Sequence, residues 1–169
     1  MVSADLERKI INEISAALSA ASLTDLALVR GTWQPSATDA PRWLEGDLFD
    51  GRTALIAVAV GTPAKETYSI PLVTFAASVR LHVRAELDSN GVLLLQFADV
   101  LQALFARWQV MHYNGDTTAL DLPTLSIDGV TVNGGGVPEV SAETISIEFP
   151  LTLIGSYRSI SDNSNNSED

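Results

Sequence analysis

The sequence predicts an α+β fold: an N-terminal helix, a mostly antiparallel twisted sheet, and a second long helix packed on one face of it. Three observations predict this. Apolar residues recur at three- and four-residue spacing in the segments Ser3 to Ala21 and Val92 to Met111, the signature of amphipathic helices. Between them, Phe75 to Leu87 alternates with period two: Phe75, Ala77, Val79, Leu81, Val83, Ala85 and Leu87 fall on one face, and the other includes Ser78, Arg80, His82, Arg84 and Glu86. A similar alternation of Ile145, Ile147, Phe149, Leu151 and Leu153 closes the chain. At 169 residues this is one domain, residues 1–160, long enough to bury roughly 70% of its unfolded surface.

In the first helix, Leu6, Ile10, Ile14, Ala17, Leu18 and Ala21 form the apolar stripe. Ser3 is the predicted N-cap, with Asp5 and Glu7 in the first turn where the helix dipole favours anions. Leu23 to Val29 reads as a short strand. A long irregular stretch follows from Gly31 to Gly51, with Pro35, Pro41, Trp33, Trp43 and Phe49. Connections of that length carry a function more often than shorter ones do. Two readings stand: the aromatics tuck the loop onto the core, or the loop is an arm that docks on a neighbouring subunit.

Thr53 to Val60 is an unbroken apolar strand, as expected when both sheet faces are covered. Gly61 to Glu66 reads as a turn. After the long strand, Asp88-Ser89-Asn90-Gly91 breaks the pattern and caps the second helix, whose face is Leu93, Phe97, Val100, Leu101, Leu104 and Trp108. Asn114 to Asp116 ends that helix. A strand follows from Leu120 to Val132, interrupted by Pro123 and an Asp128-Gly129 turn, and Asn133 to Gly136 is a flexible connection. The last strand spans Ala142 to Ile154, where Pro150 marks an edge or a bulge because it lacks an N–H. Residues 161–169 hold no apolar side chain and read as a disordered acidic tail.

Composition narrows the function. The net charge is −11, which disfavours specific binding to nucleic acid or to a polyanionic membrane surface. There is no cysteine, so thiolate catalysis, disulfides and cysteine-based metal sites are excluded. No apolar run approaches the ~20 residues that span a bilayer. The N-terminus is acidic rather than basic-then-apolar, so a soluble protein made in the cytoplasm is expected.

Chemical motifs are missing. The two histidines, His82 and His112, stand apart, without HExxH or a spaced carboxylate run, so no metal is expected. No Gly-x-Ser-x-Gly elbow is present, and Gly134-Gly135-Gly136 lacks the Lys-Ser/Thr of a phosphate loop. Glu139, Glu143 and Glu148 fit a solvated strand face better than an acid–base pair. No catalytic or cofactor-binding residue is assigned, and no enzyme activity is expected. One constellation stands out: Arg80, His82, Arg84 and Glu86 on one strand face, the arginines about 6–7 Å apart. They pair either across strands, for instance to Glu148, or with carboxylates of an adjacent subunit, where arginine's bidentate fork suits specific contacts. Arg80, His82, Arg84, Glu86, Glu148, Trp33, Trp43 and Phe49 are therefore the interface candidates.

The order of elements resembles the tail terminator proteins of long-tailed bacteriophages, of the lambda type, and related tail-completion proteins. The resemblance lies in the N-terminal amphipathic helix, the long strand Phe75 to Asn90 with its polar end, the Leu/Ala-rich helix, and the final strand Ile145 to Leu153. It covers about residues 3 to 157; the 31–51 loop and the acidic tail depart from it. It implies a homo-oligomeric ring, usually a hexamer, that caps the tail tube in the virion and offers the head connector a docking surface, with tube protein and connector as partners and DNA passing through. Alternatives are a head–tail connector or neck protein, or a small-molecule or peptide-binding module with its pocket between the sheet and the second helix. An enzyme using carboxylates and His82 ranks last.

Overall fold

The computed structural model describes residues 2–30, 52–65, 72–88, 90–109, 117–141 and 144–158. The 31–51 loop with Trp33, Trp43 and Phe49 lies outside them, as do His112, Glu143 and the 161–169 tail. Helix α1 (Val2–Ala20) buries Leu6, Ile10, Ile14 and Leu18 completely, one side chain per turn. Ser3 is not its N-cap. It lies within the helix and its hydroxyl donates to the Gly61 carbonyl (2.8 Å), while Glu7 accepts from the Val60 amide (3.1 Å). These bonds clamp the first turns of α1 to the end of strand β2 (Ala54–Val60). At its other end, Ser22 takes φ 60°, and the Leu23 amide reaches the Leu18 carbonyl (2.9 Å) while Ser22 reaches Ser19 (3.0 Å). That is a Schellman cap built on serine instead of glycine.

The other elements are strands β1 (Leu26–Arg30), β3 (Ala64–Lys65), β4 (Leu72–Arg84), β5 (Leu125–Val132), β6 (Glu139–Ser141) and β7 (Thr144–Tyr157), and helix α2 (Val92–Gln109). The sheet runs in the order β1-β2-β4-β7-β5, with β3 also paired to β4 and β6 to β7. This is the predicted α+β architecture. All pairings are antiparallel except β1 with β2, which are parallel. A parallel pair needs a crossover of a dozen or more residues. Residues 31–53 supply that connection, so the length of the loop has a topological cause.

One face of the sheet carries the core. Ile56 and Val58 of β2, Phe75, Val79 and Leu81 of β4, and Phe149 and Leu151 of β7 meet the buried stripe of α1 and Phe97, Leu101, Leu104, Phe105 and Trp108 of α2. Phe105 stacks edge-on against Phe149 (centroids 5.4 Å) and tilts against Trp108 (5.3 Å). Asp88 starts α2. Its two carboxylate oxygens accept from the Leu93 (3.0 Å) and Leu94 (2.8 Å) amides, which helix geometry leaves without partners. Asp88 is itself buried. D88A is expected to cost about 1–2 kcal/mol, from lost capping and two stranded amides, read as a lower urea midpoint at unchanged m-value.

Four local expectations are corrected. The long strand ends at Arg84, and residues Ala85–Leu87 form a 3-10 turn, so Leu87 leaves the core face and is 55% exposed. Ala64 and Lys65 pair with Thr74 and Val73 instead of lying in a free turn. Asp128-Gly129 is a bulge inside β5, where the register against β7 slips by one residue, and not a turn. Pro150 lies in an interior strand. Its carbonyl accepts from Asn133 (2.8 Å), and a residue's N and O point to the same side of a strand. The missing N–H therefore faces the 133–136 segment, beyond the point where β5 ends opposite Leu151, and the β4–β7 ladder is intact.

Candidate functional site

The second face of the sheet is built by the even positions of β4 and β7. Register places Arg80 opposite Glu148, His82 opposite Ser146 and Arg84 opposite Thr144. Arg80 Nη2 lies 3.0 Å from Glu148 Oε1, and Ser78 Oγ donates to the same oxygen (3.1 Å). Arg80 thus meets the carboxylate on the last strand, the cross-strand alternative open from the sequence. Arg84 has Glu86 as a looser neighbour (3.9 Å), with Glu86 well exposed on the 3-10 turn. Both arginines are about one-fifth exposed.

His82 lies on the predicted polar face of β4, yet it is buried. It is only 1% exposed, in the register row that places it opposite fully buried Leu55 of β2. Burial, and then the positive charge of Arg80, push its pKa down to about 4. The imidazole is neutral at pH 7, and so low a pKa suits it poorly to general-base work near neutrality.

Beside this row the Asn133–Gly136 segment is hydrogen-bonded to β7: Asn133 donates to Pro150 and Gly136 to Glu148 (3.1 Å). Gly134, Gly135 and Gly136 all have positive φ. Together with Arg80, His82, Ser146 and Glu148, the segment and the exposed Val137 and Glu139 enclose a recess of about 140 Å³. On the helix-bearing side of the same glycines lies a second recess of about 330 Å³, lined by Gln102, Phe105, Val132 and Phe149. Glu139, Val137 and the glycine segment were not singled out as one site from the sequence. The signal available was the glycine run followed, a strand later, by a proline that needs a partner without strand geometry.

Among the described residues no three His, Cys, Asp or Glu side chains converge as metal ligands, and no helix is long and apolar enough to cross a membrane. No family model matches the chain, and no curated protein matches it.

Proposed function

We propose that the protein is a structural assembly protein of a phage-like particle, a tail terminator that forms a ring on the end of the tail tube and presents a docking surface to the head connector. The observation that carries this reading is the element order: N-terminal helix, long strand β4, helix α2 and long strand β7, with both helices on one sheet face and the charged side chains Arg80, Arg84 and Glu148 on the other. A net charge of −11 supports it, because an acidic ring repels passing DNA. The interface candidates Arg80, His82, Arg84, Glu86 and Glu148 lie on or beside that second face.

The test adds the purified protein to polymerising cognate tail tube protein. The expected result is arrested elongation, with a ring at one tube end in electron micrographs. Unchanged tube growth together with a monomeric mass in light scattering overturns the reading. Binding to heads instead of tubes shifts it to a neck or connector role. A ligand-binding module draws on a different observation, the 330 Å³ recess between α2 and the sheet, at the lower end of small-molecule pocket volumes. Under that reading the protein is a monomer whose melting temperature rises with ligand.

A further inference from the structure

The recess on the second face is too small for a typical small-molecule ligand, whose pockets start near ~300 Å³, but has room for one long side chain. Its charges are uneven. Arg80 and Glu148 neutralise each other, His82 is neutral at pH 7, and the exposed carboxylate of Glu139 is left over. The rim is apolar, with Val137 (74% exposed) and Pro150 beside the carboxylates. A charged floor under an apolar rim fits a side chain with an aliphatic stem and a cationic head.

Five arginines already have a carboxylate within 4 Å: Arg8 with Asp5, Arg52 with Asp25, Arg80 with Glu148, Arg84 with Glu86, and Arg158 with Asp121. Arg107, exposed in the last turn of α2, has no carboxylate within that distance among the described residues. Half-buried Lys9 has none either, but its ammonium lacks the planar fork that engages two acceptors at once. Arg107 stands on the helix that packs one sheet face, and the recess opens on the other. Within one molecule the two patches are therefore complementary but on opposite sides.

We propose that the recess formed by Glu139, Glu148, Val137 and Pro150 receives the Arg107 side chain of a second copy of this chain. Two different patches on opposite sides of identical subunits make a head-to-tail contact, which closes into a ring when the rotation between subunits is right. The inference rests on the ring reading above and names its contact.

The test is a charge swap read by light scattering over a concentration series. Arg107→Glu is expected to weaken assembly about tenfold or more, as reversal of a paired interfacial charge does. Adding Glu139→Arg to the same chain restores opposite charges and is expected to recover most of the wild-type mass. Both positions are exposed, and a melting curve for each variant checks that the fold is kept. A wild-type protein that is monomeric at every concentration and also leaves tube growth unchanged overturns both the ring and the contact. An assembled wild type whose mass is unmoved by Arg107→Glu overturns the contact and leaves the ring. Weakening without recovery in the double variant overturns the pairing of Arg107 with this recess.

Discussion

Replacing Gly135 with alanine is expected to lower the melting temperature by about 10 °C. Two costs combine. Gly135 sits at φ 80°, where an L side chain costs about 1–2 kcal/mol. A Cβ there would also lie 2.3 Å from the Glu148 carbonyl oxygen and 2.8 Å from Pro150 Cδ. Neither is the mobile end of a flexible side chain: one is strand backbone and the other a ring in β7. Relief requires the 133–136 segment to lift away from β7, which strains the Gly136–Glu148 and Asn133–Pro150 bonds. Overpacking of this kind costs about 1–3 kcal/mol. The sum, about 2–5 kcal/mol, converts at about 2–4 °C per kcal/mol for a chain of this size. Gly134 is the control. Its φ is 84°, but an added Cβ meets nothing within 4 Å. Gly134→Ala should show the backbone cost alone, so the gap between the two variants measures contact with β7. Equal shifts would mean that the segment does not press on the strand.

The same segment shows where sequence patterns stop being informative. Periodicity found α1, β4, α2 and β7 because each buries one regular face, and Leu6, Ile10, Ile14 and Leu18 or Val79, Leu81 and Val83 repeat at the element's own spacing, whereas β2 was legible as an unbroken apolar run because both of its faces are buried. The places it missed are those where long-range geometry decides. Leu87 continues the alternation perfectly, yet the strand has already turned. Asp128-Gly129 has turn composition, but pairing to β7 on both sides turns it into a bulge. Pro150 looks like an edge residue, and only the end of β5 explains how an interior strand accommodates it. For the candidate site, the strand period placed Arg80, His82 and Arg84 on one face, and Glu148 was a foreseeable partner. The register that sets Arg80 against Glu148, and the burial of His82, depend on three strands meeting. No local window contains that information.

Burial of His82 carries the last prediction, a loss of stability on mild acidification. The native state holds the imidazole pKa at about 4, against 6.5 for the free side chain. Between those values the unfolded chain takes up a proton that the folded chain refuses, so the unfolded state binds more protons and stability rises with pH across the window. The contribution is complete above about pH 6.5, falls as the pH drops towards 4, and changes no further below that. A difference of this size corresponds to about 3 kcal/mol. The groups around the ring sharpen the effect: Arg80, on the same face of β4, disfavours a second positive charge, while Glu148, the nearest acid in register, is engaged by Arg80. Urea unfolding at pH 7, 5.5 and 4 reads the slope. His82→Gln keeps a polar side chain of similar reach but does not titrate, so its stability should fall much less over the same range, the remainder coming from carboxylates common to both proteins. Parallel pH profiles for wild type and variant would show that the imidazole is free to protonate in the folded state, and that the second face of the sheet admits water at its centre.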